Sequence, residues 1–149
     1  MRPFPSRGVR SASRSVRLAA YVNAGWMTFV WVQRIRNAVA NDEPNPTGAY
    51  VMSGAMLAGA AVLVAAATAS PESTATRALT RLVPAAHGAL WVVRGTQIAM
   101  SDRSVPFIAV HEVLAVASIG LAVWAWRSTS AASAAGPEVG AGRGRAATI

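Results

Sequence analysis

The chain has 149 residues, 53% of them hydrophobic and only 13% charged, which is about half the charged share usual in a soluble domain. Cys is absent, which removes disulfides, thiolate chemistry and Cys-ligated metal or iron–sulfur centres. All 14 basic residues are Arg, against 6 acidic ones, for a formal charge of +8, so the positions of the arginines must decide between a nucleic-acid binder and a membrane protein with a charge bias.

Residues 1–17 hold Arg2, Arg7, Arg10, Arg14 and Arg17 together with Pro3 and Pro5. Such a segment cannot bury a core and is expected to be a disordered basic tail. It reads as a topology signal and a headgroup contact, each arginine near an anionic leaflet contributing about 1 kcal/mol. It lacks the aromatic interleaving of a nucleic-acid surface, so no nucleic-acid partner is expected.

The first apolar segment, Leu18 to Val32 in an expected span of about 18–33, is broken only by Asn23 and Thr28 and lies between Arg17 and Arg34. Arginines at both ends can snorkel to the headgroups, so a span this short can suffice. Ala38-Val39-Ala40 resembles a signal-peptidase site. Arg34 and Arg36 precede that site, however, and Trp26 and Trp31 lie inside the segment, so a retained helix is the better reading. After a breaker-rich loop, 49–69 carries no charge at all and has the roughly 20 residues that a spanning helix needs. Its Gly54-x-x-x-Ala58 and Ala55-x-x-x-Gly59 patterns would let a neighbouring helix approach closely. Segment 82–100 carries one charge, Arg94, and 106–126 carries one, Glu112. Beyond Arg127 the chain is a Ser-, Ala- and Gly-rich tail, expected to be disordered over 128–149.

The expected fold is therefore an all-α integral membrane protein, with four transmembrane helices in an up-down bundle over 18–127. A soluble bundle would need more polar surface than four such segments leave. The halves share an outline: Arg17-Leu18 and Gln33 match Arg81-Leu82 and Gln97 at one offset, with Asn23 opposite His87. This suggests a two-plus-two hairpin repeat, which would be a parallel one. With the N-terminus inside, ten arginines fall on the inner side and three (Arg34, Arg36 and Arg103) on the outer, which places both termini in the cytoplasm. The Arg-only, Ala-rich usage, with 33 Ala, points to a GC-rich bacterial source and hence to the inner (plasma) membrane.

Arg94 lies six residues from the outer end of the third segment, and Glu112 six residues from the outer start of the fourth. Antiparallel helices would bring them to one depth, as an inward-facing intramembrane ion pair. A lone charge in a span costs about 2.5–3.5 kcal/mol on insertion scales. The pair would fix the packing of these two helices; its functional reading is a proton or ion path, or a polar substrate site. His87 and His111 invite bis-His haem ligation, but they enter from opposite interfaces and should lie about 15 Å apart in depth. His111-Glu112 begins an H-E-x-x-H pattern, but Ala115 stands where the second His belongs. His87, Arg94 and Gln97 share a helical face beside Gly88 and Gly95. His111, Ala115, Ser118 and Ala122 form a stripe on the fourth segment, and Asn23, Met27, Val30 and Arg34 one on the first. Asn23, His87, Arg94, Gln97, His111 and Glu112 thus outline a polar seam. No catalytic motif, phosphate loop or dinucleotide fingerprint occurs.

In size and span number the outline resembles small four-helix membrane proteins of the DoxX type, without a shared motif that would carry a function. The expected role is a non-enzymatic accessory or structural subunit of a membrane complex, with the lipid bilayer and either a second copy or a membrane-protein partner as its surroundings. The alternatives are a small proton-coupled carrier using Arg94 and Glu112, and a haem- or quinone-binding redox protein using His87 or His111.

Overall fold

The computed structural model describes residues 7–41 and 46–134, and all regular structure among them is helical. Four helices follow in order: α1 (Arg7–Ala40), α2 (Thr47–Ala69), α3 (Thr74–Ala99) and α4 (Val105–Ala134). Helix α1 begins within the basic segment expected to be disordered, so Arg7 to Arg17 form its first turns. A run of Arg, Ser and Ala without an internal Pro or Gly breaker after Gly8 can extend a helix that the apolar segment has already nucleated. Likewise α4 continues past Arg127 to Ala134. The remainder of both expected tails, 1–6 and 135–149, lies outside the described residues.

The connection between α2 and α3 is closed by its own side chains. Ser73 caps α3, its Oγ accepting from the Thr76 backbone N–H at 3.0 Å. Thr76 Oγ1 bonds at 2.7 Å to the Ser70 carbonyl and at 3.1 Å to that of Ala66. The Ala66 and Ser70 carbonyls also accept the backbone N–H groups of Ser70 and Ser73, at 3.0 and 3.1 Å, so the first turn of α3 uses their second lone pairs to fasten the end of α2. Pro106 stands in the first turn of α4, where a missing N–H costs nothing.

Contacts fix an antiparallel order around the bundle. Along α1 and α2, Ser13 meets Glu72, Tyr21 meets Thr68, and Met27 lies over Gly59. Along α3 and α4, Arg81 meets Thr129, Gly88 meets Ile119 and Ala122, and Gly95 meets Glu112 and Ala115. Helix α4 returns to α1, with Leu121 at Asn23 and Ser118 at Trp26. The α1–α2 and α3–α4 faces are the most extensive, α1–α4 is next, α2–α3 is narrower, and α1 touches α3 across the diagonal. The result is a four-helix up-down bundle.

Two helices, α2 and α4, are long and apolar enough to cross a membrane; α1 and α3 are not. The two that fall short carry most of the interior's polar groups: Asn23 on α1, and Thr76, Thr80 and His87 on α3 are all buried. The core is small and partly polar, with Ala19, Ala20, Ala60, Ala67, Ala115 and Ala125 around Met27, Leu63 and Trp91. The large aliphatic side chains point outward instead, among them Val51, Val62, Leu82, Val93, Val113 and Val116.

Candidate functional site

Helix α3 presents one continuous buried stripe to the rest of the bundle: Thr76, Thr80, Pro84, His87, Gly88, Trp91 and Gly95. The two glycines admit α4. A Cβ at Gly88 would stand 3.3 Å from the Ala122 Cβ, and one at Gly95 would stand 3.4 Å from Glu112 Oε1 and 3.5 Å from the Ala115 Cβ. Small residues allow this close approach. Ala115 and Ser118 are buried and His111 and Ala122 half-buried, so the stripe expected on α4 is the one that faces inward. On α1, Asn23, Met27 and Val30 are buried and Arg34 is half-buried, as their spacing suggested.

Glu112 and Arg94 come to nearly one level, but on different sides of α3. The Glu112 carboxylate lies against Gly95, next to Arg94 in sequence. Its Oε1 is buried with no hydrogen-bond partner, whereas Arg94 is exposed. The expected inward-facing pair is therefore not made at that oxygen. The reason is angular: each residue turns a helix by about 100°, so Arg94, one step from the buried Gly95, is carried off the inward stripe. Gln97 is exposed on the same outer side. The polar seam thus keeps Asn23, His87, Glu112 and part of His111, and loses Arg94 and Gln97.

His87 is 2% exposed. Trp91 Nε1 donates to its Nε2 at 3.0 Å. An indole N–H can only donate, so Nε2 is the ring's lone-pair nitrogen and the proton sits on Nδ1. The Trp31 ring is 6.1 Å from His87, and Trp91 meets it edge-on at 6.5 Å. Trp91 also neighbours His111 at 6.4 Å, and His111 stacks on Phe107 at 4.1 Å. His111 Nδ1 lies 2.8 Å from the Phe107 carbonyl oxygen. A carbonyl only accepts, so this nitrogen carries a ring proton. Trp91 thus borders both histidines, and His87 Nε2 is already engaged, which does not suit one haem iron ligated by the two rings. Among the described residues there is no group of three His, Cys, Asp or Glu that could hold a metal ion.

Asn23, at the place in the first half that corresponds to His87 in the second, makes bonds of a different kind. Asn23 Nδ2 donates to the Ala19 carbonyl at 2.9 Å and to that of Leu121 on α4 at 3.3 Å. Trp26 Nε1 donates to Ser118 Oγ at 2.8 Å. These two bonds tie α1 to α4 and are structural. Trp31 and Trp91, the two indoles beside His87, are site residues that the sequence reading did not single out as such. Trp91 could have been found from its place one turn after His87 and one before Gly95. Ser53 is fully buried with an unpartnered Oγ, and Trp31 Nε1 is also buried without a partner.

No family model, curated protein or solved structure matches this chain.

Proposed function

We propose that the chain is a multi-pass integral membrane protein in which all four helices cross the bilayer, and that it serves as a non-enzymatic accessory subunit of a membrane complex. The observation that carries the membrane placement is the orientation of α2 and α4. Only 22% of the apolar window of α2 and 11% of that of α4 is buried inside the bundle. A core helix of a soluble protein turns such a window inward, because exposing it to water forfeits about 25 cal/mol per Å2. Helices α1 and α3 are antiparallel neighbours of α2 and α4 at overlapping levels, so the same slab must contain them. Their outward residues suit it: Leu18, Val22, Phe29 and Val32 on α1, and Leu82, Val92 and Val93 on α3. The arginine-rich end, which gathers Arg14, Arg17, Arg77, Arg81 and Arg127, would face the cytoplasm.

The accessory role rests on Arg94 and Gln97. They are exposed one turn apart on the outer side of α3, with exposed Val92, Val93 and Thr96 around them. Polar groups of this kind join helices when a partner supplies the matching group. A photoactivatable residue replacing Gln97 in native membranes is expected to crosslink to a second polypeptide, either another copy or another protein. Adducts with lipid alone would overturn the accessory reading.

A second reading, a small carrier, is favoured by the unpartnered Glu112 Oε1. A buried polar atom left without a hydrogen bond is costly, and intramembrane acids mark ion or substrate paths.

A further inference from the structure

We propose that the junction of α3 and α4 around Arg81 binds the headgroup phosphate of an anionic phospholipid from the leaflet at the arginine-rich end. The inference rests on the membrane placement proposed above. It does not depend on the accessory role, nor on which side that end faces.

The arginine-rich end is short of negative charge. Among the described residues it gathers Arg14, Arg17, Arg77, Arg81 and Arg127, and its one carboxylate is that of Glu72. Glu72 Oε1 accepts from Ser13 Oγ at 3.0 Å, and Arg77 reaches the Glu72 backbone carbonyl at 3.1 Å. Arg81 is the arginine whose position is built. Its Nε donates to Thr129 Oγ1 at 2.8 Å. That hydroxyl is fully buried and sends its own proton to the carbonyls of Ala125 and Trp126, at 3.0 and 2.8 Å, so a lone pair is left to meet Arg81. The guanidinium carbon lies 5.5 Å from the Trp126 ring centroid, within cation–π range. Both contacts are with uncharged groups, so they fix the direction of the guanidinium and leave its charge in place. Arg77 stands one turn before Arg81 on the same side of α3, about 6 Å along the axis, and is half-buried. From exposed Trp126 toward the bundle centre, this flank of α4 continues as Val123, exposed, and Ile119, half-buried. The junction therefore offers guanidinium, then indole, then aliphatic surface. A phospholipid presents the matching order of phosphate, ester and acyl chain. Basic pockets between spanning helices at this level recognise such headgroups, and the planar fork of an arginine suits phosphate oxygens. A zwitterionic headgroup would carry an ammonium into this group of cations, whereas an anionic one brings only the charge that the end lacks.

The experiment is mass spectrometry of the purified full chain, released intact from detergent micelles after titration with dioleoyl phosphatidylglycerol or, separately, dioleoyl phosphatidylcholine. One copy of the glycerol lipid should bind per chain, at least about 10-fold more tightly than the choline lipid, as expected when a charge-assisted contact is gained. Arg81→Gln should weaken that binding by about 10-fold. Thr129→Val keeps every charge but releases Nε, and should weaken it less. Arg77→Gln should also weaken it, and keeps the test usable if Arg81→Gln loses its helical circular dichroism. Arg36→Gln, at the opposite end of the bundle, should leave it unchanged. Millimolar glycerol 3-phosphate should not displace the lipid; displacement would show a soluble phosphate ligand instead. That result, equal affinity for the two lipids, equal binding by the wild type and Arg81→Gln, or an equal loss in Arg36→Gln would overturn the proposal. Membrane placement is tested separately, by resistance to alkaline carbonate extraction, so that either idea can fail alone.

Discussion

Trp91 can only donate its indole proton, so its 3.0 Å contact with His87 fixes which nitrogen of a fully buried imidazole holds the lone pair. Trp91→Phe would keep most of the ring packing and remove the donor, leaving Nε2 buried and unpaired. An unsatisfied buried polar group costs about 1–3 kcal/mol, so the variant should lose that much stability in a detergent unfolding titration. His87→Leu with Trp91→Phe should recover part of it, because both polar partners are then gone. At this scale the sequence is readable in parts. The level of Glu112 beside positions 94 and 95 follows from counting inward along two antiparallel segments. Which of two adjacent residues turns inward is set by the phase of the helix, and a single Arg cannot report that phase. The buried glycines report it: Gly88 and Gly95, seven apart, mark the inward line, with Trp91 between them and Arg94 beside it. Asn23 was legible as an interior polar group, yet its partner was not, because the Leu121 carbonyl it bonds is backbone and has no side-chain signature.

Glycines separate the helix faces that carry packing from those that do not. At Gly88 an added Cβ would press on the Ala122 Cβ at 3.3 Å, with the α4 backbone at Ile119 behind it at 3.7 Å, whereas at Gly54 and Gly120 nothing lies within 4 Å. Gly88→Val therefore forces α3 and α4 apart and should cost about 1–3 kcal/mol as overpacking. Gly120→Ala meets open space and should be neutral or stabilise by up to about 1 kcal/mol, through helix propensity alone. Measured unfolding of the two variants in one detergent checks both signs; equal effects would mean that α4 does not present Ala122 to α3. The same contrast explains a limit on reading helix pairing from pattern. Gly54 and Gly59 belong to overlapping small-residue patterns on α2, yet only Gly59 faces neighbours, Val83 and Met27. In a chain with 33 Ala, small residues recur at helical spacing on every side. The ends of α1 and α4 were hard to place for a related reason: Arg, Ser and Ala tolerate a helix without demanding one, so their composition alone looked like tail.

For the molecule as a whole, the antiparallel order gathers charge at one end. Arg14, Arg17, Arg77, Arg81 and Arg127 lie at the end formed by the start of α1, the α2–α3 connection and the close of α4, while Arg34, Arg36 and Arg103 lie at the other. Arg81 is held there, its Nε donating to Thr129 Oγ1 at 2.8 Å with the guanidinium 5.5 Å from the Trp126 ring centroid. An arginine braced by an indole about two turns inside the helix ends is an arrangement that suits a membrane–water boundary, where an apolar ring and a charged head each meet their own medium. Because the chain has no Cys, single cysteines can test this polarity without background. Ser104→Cys, in the exposed α3–α4 connection, and Ser130→Cys, exposed near the end of α4, should label from opposite sides. With a membrane-impermeant maleimide on intact cells, Ser104→Cys should react and Ser130→Cys should react only after permeabilisation. Reversed labelling would place the arginine-rich end outside. Labelling of both in intact cells would put the ends of α4 on one side, and α4 could not then be a span.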